Sequence, residues 1–219
     1  MHETPQHKNH SIDRLALKIL AVVLVVTALI FLWSRSQYHS SPQTPDTWLD
    51  QDGHLHVLGI VLDQSTLREA ETALQSRSDT ALYIYPVGSE KAGLKLESYF
   101  PSIADHTQVI LRLAADDALL KAMESRASLP HEYPNKVLRM NLAPTDLPDV
   151  QRLRVIELTL VPSATITADM LAARFGQPDG RQQTGDTMKL QFNKVGLSAT
   201  LDKDNPAMLH FTNPAQRRN

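Results

Sequence analysis

The feature that most constrains this chain is "ILAVVLVVTALIFLW", Ile19 to Trp33, in which no residue is charged. Leu15 to Leu17 extend the run beyond Lys18, giving 19 residues from Leu15 to Trp33. About 20 apolar residues at 1.5 Å each cross the ~30 Å hydrocarbon layer of a bilayer. Lys18 stands near one end, where an ammonium can snorkel to the interface, and Trp33 at the other, where an amphipathic ring is favoured. Lys8, Arg14 and Lys18 lie upstream, whereas only Arg35 follows closely downstream. The expectation is a single transmembrane span over 15–33 in the inner (cytoplasmic) membrane. The tail 1–14 would be cytoplasmic and the C-terminal domain periplasmic. The competing reading is a cleaved signal peptide, for which "SRS" at Ser34–Ser36 offers small residues. The length of the run and the bulk of Trp33 favour an uncleaved anchor.

Composition removes whole classes of function. The 219 residues contain no cysteine, which excludes disulfides, thiolate nucleophiles and cysteine-bound zinc. The net charge of -2 leaves no basic surplus for nucleic-acid phosphates, so no nucleic-acid partner is expected. The segment 34–47, with Pro42 and Pro45, reads as a polar linker.

Beyond it a pattern occurs twice. "HLHVLGIVL" (54–62) reads as a strand, and Thr66 with Glu69 forms a capping box that starts a helix at Leu67. Leu67, Ala70 and Leu74 lie on one side of that helix. Three strand-like runs follow, at 80–87, 93–100 and 107–114, the first two joined by the loop "GSEKA". In the second copy "LRVIELTLV" (153–161) is the strand and Thr167 caps "ADMLAARF", which Gly176 and Pro178 stop. Three more strands are expected at 186–192, 196–202 and 207–213. Between the copies, 116–152 reads as a connector, with a helix at 117–127 capped by Asp116 and a strand at 136–142. "SLPHEYPN" and "APTDLPDV" read as loops. The fold class expected is α+β: a transmembrane helix, then two strand-helix-three-strand units (48–115 and 153–213) with antiparallel sheets and helices on one face. A tail, 214–219, ends the chain.

A Thr-capped helix ending "RFGQPD", followed by "TMKLQF" and "GLSATLD", resembles the SmpA/OmlA-type domain of outer-membrane assembly lipoproteins. It is similar in outline to each half of the tandem β-lactamase inhibitor protein. The resemblance covers Ile156 to Thr212 and implies a tandem α+β fold and a protein-binding module in envelope assembly. It carries over no functional residues.

Few residues invite a chemical role. His54 and His56 fall two apart on a strand, on one side, where Asp50 or Asp52 could join them around a metal; the reading adopted is a solvated strand entrance. His2, His7 and His10 lie in the polar N-terminal tail, and His39, His106, His131 and His210 are scattered. Asp116 and Asp117 with Glu124 could form an acid/base set, but helix capping accounts for the first two. There is no Gly-x-Ser-x-Gly elbow, phosphate loop or His-Glu-x-x-His. Tyr83 and Tyr85 share one strand face, opposite Leu82 and Ile84. No catalytic residue, cofactor or metal is therefore expected. The function expected is a non-catalytic domain that binds another envelope protein, anchored by one membrane span. An envelope enzyme with a dispersed site and a periplasmic ligand sensor are the alternatives.

Overall fold

In the computed structural model, residues 47–214 are described, apart from 90, 104 and 105. They begin with a small sheet: β1 (Thr47–Leu49), β2 (Leu55–Val57) and β3 (Ile60–Val61), paired antiparallel in that order. The run 54–62 is thus a hairpin and not one strand. Leu58 and Gly59 both have positive φ (52° and 79°), the backbone of a two-residue type I′ turn. Gly59 was the legible signal for this break. The helix α1 (Leu67–Ala73) follows, and its Thr66–Glu69 capping box is present in both directions.

A ten-stranded antiparallel sheet makes up the rest. In chain order it comprises β4 (Asp79–Tyr85), β5 (Gly93–Phe100), β6 (Gln108–Leu113), β7 (Ser128–Glu132), β8 (Leu138–Asn141), β9 (Val155–Val161), β10 (Gly180–Thr184), β11 (Thr187–Phe192), β12 (Leu197–Leu201) and β13 (Met208–Thr212). In space the order is β10-β11-β12-β13-β9-β6-β5-β4-β8-β7. Three further helices are α2 (Asp117–Glu124), α3 (Leu147–Val150) and α4 (Ala168–Phe175). The expected loop 128–135 supplies β7, and the expected loop 143–150 is a 3₁₀ turn running into α3.

Side chains alternate across these strands. Leu82, Leu96, Phe100, Leu111, Leu158, Phe211, Leu197 and Leu190 face one side and are at most 1% exposed. All four helices bury residues in that same core cluster: Leu67 and Ala70, Leu120 and Met123, Val150, and Leu171. Phe175 of α4 lies 5.9 Å from the Phe192 ring and 6.5 Å from that of Phe211. The opposite side of the sheet carries Tyr83, Lys95, Glu97, Arg112, Glu157, Thr159, His210 and Ser198, which by register share one face.

These findings overturn the expected fold class. The described residues are mostly antiparallel sheet with four short helices, not two separate strand-helix-three-strand units. The reason lies in β9, which pairs with β13 on one side and β6 on the other. One strand closes both meanders, so the sheet is continuous. The tandem repeat is likewise not what the sheet displays, since the first member of the first copy became the β2–β3 hairpin, outside the large sheet. The second copy has an extra strand, β10. Among the described residues no helix is long and apolar enough to cross a membrane. The span expected at 15–33, with its flanking tail and most of the linker, lies outside the described residues.

Candidate functional site

The open face of the sheet holds a polar cleft of about 320 Å³, lined among others by Lys95, Arg112, Glu157, Lys189, Ser198 and His210. It runs across β5, β6, β9, β13, β12 and β11 and includes the seam where β6 meets β9. Arg112 stands in register between Glu97 of β5 and Glu157 of β9. Its Nη1 donates to Glu157 Oε1 at 2.6 Å. The His210 Nε2 lies 3.7 Å from Glu157 Oε2, and its Nδ1 is 2.9 Å from Thr159 Oγ1. Glu97 is only 5% exposed and accepts the Tyr85 hydroxyl at 2.8 Å. Burial pushes the Tyr85 phenol far above its usual range, and the adjacent Glu97 charge pushes it further. Tyr83 is raised as well, because burial outweighs the hydrogen bond from Arg139. Both tyrosines therefore stay neutral, Tyr85 as a donor to Glu97 and Tyr83 as an acceptor from Arg139. The Lys91 ammonium sits 5.7 Å from the Tyr85 ring centre.

A hydroxyl, an imidazole and a carboxylate in sequence resemble a nucleophile relay, but the surroundings do not complete one. Thr159 is 4% exposed and pairs in register with both Ile110 and His210. The backbone N–H groups of a strand flanked on both sides serve the ladders, so they are not available as an oxyanion hole. The network instead fixes a rigid, hydrogen-bonded surface.

The two edges of the sheet differ. β7 carries Pro130, a positive φ at Leu129 and a register shift between Ser128 and His131. These are devices that discourage pairing with another strand. β10, "GRQQT", has none of them: it pairs with β11 in unbroken register over five residues, and four of its five residues are exposed.

Of the residues singled out from sequence, His54 and His56 come together beside Asp50, with Asp52 close by. Asp116 does cap α2, accepting the Leu119 N–H at 2.7 Å, and Asp117 lies in its first turn. Glu124 is the last residue of that helix, so the three acids form no pair. Tyr83 and Tyr85 are on the open face, opposite the core residue Leu82. His106 and His131 are exposed, whereas His210 is in the cleft. His2, His7, His10 and His39 lie outside the described residues. Glu157, Thr159 and Arg112 are not among the residues that sequence motifs point to. Their signal was alternation: in "VIELTLV" Glu157 and Thr159 interleave with Leu158 and Leu160, and in "MLHFT" His210 sits between Leu209 and Phe211.

No family model matches the chain, and no curated protein is similar to it in sequence. Among solved structures, a DUF4309 family protein, YjgB, from Bacillus subtilis is similar over 74% of this chain and 88% of that one, at 9% identity and a TM-score of 0.38. A likeness of that size transfers neither architecture nor role.

Proposed function

We propose that this is a membrane-tethered protein whose exported domain binds another envelope protein and does no chemistry of its own. The single observation that carries the reading is the asymmetry of the sheet edges: β7 is blunted, and no strand among the described residues pairs with the outer side of β10. An open edge offers unpaired N–H and C=O groups to an extended segment of a partner, which adds as a further strand. The resemblance of Ile156 to Thr212 to SmpA/OmlA-type domains points to the same class of function. Placement outside the inner membrane rests on the sequence alone, through the Lys8, Arg14 and Lys18 excess before the apolar run.

The test is paired photo-crosslinking in intact cells, with the reactive residue at Arg181 on β10 or at Leu129 on β7. The reading expects a discrete adduct from Arg181 alone, lost when Gln182→Lys and Gln183→Lys lay charge along the edge. Equal labelling from both edges, or none from either, would end it. A second reading, an envelope enzyme, draws on the Thr159–His210–Glu157 arrangement. It requires that Thr159→Val abolish turnover of an ester or amide substrate while leaving the fold intact.

A further inference from the structure

The turn that joins β1 to β2 gathers four side chains able to hold a metal: Asp50, Asp52, His54 and His56. Asp50 Oδ1 accepts the backbone N–H groups of Asp52 (3.0 Å) and His54 (2.8 Å). Its other oxygen, Oδ2, then faces two imidazoles, 3.4 Å from His54 Nδ1 and 3.2 Å from His56 Nε2. Ligand atoms of Asp50, Asp52 and His54 all lie within 4.8 Å of one another. Zinc-class ions bond imidazole nitrogen and carboxylate oxygen at about 2.0–2.2 Å, so neighbouring donors of a tetrahedral site stand roughly 3.3 Å apart. The two Asp50–histidine separations fall near that edge length, which hydrogen-bonded pairs share.

Two residues outside the cluster orient the rings. Trp48 stacks on His56, with ring centres 3.9 Å apart and planes 18° from parallel. The Gln64 amide nitrogen lies 3.2 Å from His54 Nε2 and donates to it, which puts the His54 ring proton on Nδ1, toward Asp50; a metal at Nδ1 requires the other tautomer, with the Gln64 amide turned to present its oxygen. The Asp50, His54 and His56 side chains are 20–31% exposed, sheltered yet open to an ion from solvent. Partial burial pushes the Asp50 carboxyl up, but the His54 N–H and the His56 ring outweigh it and hold it below the usual range.

We propose that Asp50, Asp52 and His54 form a site for a first-row transition dication of the zinc class, with His56, which already contacts Asp50, as the further ligand. Binding requires a free lone pair on each ligating nitrogen and an ionised Asp50, so the ion takes the place of the hydrogen bonds that join Asp50 to the two rings. It would clamp the β1–β2 turn at the start of the folded domain. Hydrogen-bonded His–Asp pairs without any metal are the competing account.

Zn²⁺ titration calorimetry of the full chain in detergent micelles separates the two. The background variant carries His2→Gln, His7→Gln and His10→Gln, so that the N-terminal histidines contribute nothing. One Zn²⁺ per chain is expected in that background. Asp50→Asn and His56→Ala should each weaken binding at least tenfold. Because a variant could misfold, imidazole NMR signals of His54 and His56 are also followed in the chain with all four ligands intact. They should shift with Zn²⁺ and stay unmoved by Mg²⁺. The proposal is overturned if the background variant binds no Zn²⁺, if Asp50→Asn and His56→Ala bind as the background does, or if the two imidazole signals do not respond.

Discussion

The two halves of the large sheet are built differently although the sequence writes them alike. The half ending in β10 is self-sufficient: β11, β12, β13 and β9 pair in turn, and α4 covers their inner face with Leu171 and Phe175. The half ending in β7 has no closing strand of its own and borrows β9 from its neighbour. Its counterpart strand folded back at Leu58-Gly59 into a small separate sheet. A duplicated local pattern therefore need not yield a duplicated domain, because a hydrogen-bonding edge is filled by whichever strand reaches it.

The sharpest way to break this comparison is to empty each half of its largest core side chain. Phe100 is fully buried in the β7 half and Phe211 is 1% exposed in the β10 half. Phe100→Ala and Phe211→Ala should each cost on the order of 3–5 kcal/mol. With one shared core, urea melts of either variant show a single transition shifted as a whole. Two separable transitions, only one of them moved, would mean the halves fold as independent units after all.

A somewhat smaller effect is expected from the two glycines that shape the connections. A Cβ at Gly196 would stand 1.9 Å from the Thr212 carbonyl oxygen, with φ already at 59°. Gly196→Ala should cost on the order of 3 kcal/mol, combining strain with displacement of β13. At Gly59 the nearest atom is Ala73 Cβ at 3.6 Å, an ordinary contact, so only the positive φ of 79° is penalised. Gly59→Ala should cost about 1–2 kcal/mol. Thermal melts showing the reverse order would mean that the β2–β3 hairpin, not the β12–β13 region, limits stability.

The helix caps give a finer test. The Thr66 side chain takes part in a two-way capping box with Glu69, whereas the Thr167 hydroxyl accepts the Met170 N–H, at 3.3 Å, with no reciprocal partner at that cap. Thr66→Ala should cost about 1–2 kcal/mol and Thr167→Ala about 0.5–1 kcal/mol. Equal losses by chemical denaturation would remove the distinction between the helices.

The smallest effect concerns acid. In the β10 half the Thr187 hydroxyl (2.6 Å), the Asn205 amide and the Asp204 N–H all donate to Asp202, and they lower its carboxyl from 3.8 to about 2. A carboxyl depressed on folding adds stability above its unfolded value, and that contribution disappears as pH falls through the folded value. Between about pH 4 and pH 2 the parent should therefore lose stability that Asp202→Asn lacks throughout. Parallel acid titrations by circular dichroism check this, and identical curves would show that Asp202 does not support the β12–β13 turn.

Much of the local structure was legible. Thr66, Asp116 and Thr167 cap their helices as their side chains require, since a short hydroxyl or carboxylate satisfies the orphan N–H groups of a first turn. The strands at 93–100 and 107–114 follow from alternation, and Tyr83 and Tyr85 fall opposite Leu82 for the same reason. The site residues were less so. Glu157 and His210 lie 53 positions apart in the chain yet 3.7 Å apart in the fold, and nothing local links them. The Asp50–His54–His56 cluster was half visible, because the spacing of the histidines could be read but the turn that carries Asp50 back onto them could not.

By itself the sequence determined the elements: where helices start, which face of each strand is apolar, and where glycine permits a turn. Those properties depend on residues a few positions apart and on backbone sterics. Tertiary structure alone decided that β9 serves both meanders, that β10 is left open while β7 is blunted, and that the polar row of Glu97, Arg112 and Glu157 assembles at the seam. Strand partnership is a competition among distant segments for the same hydrogen-bonding edge. It is settled by which pairing buries the most apolar surface at once, and no window of the sequence contains that comparison.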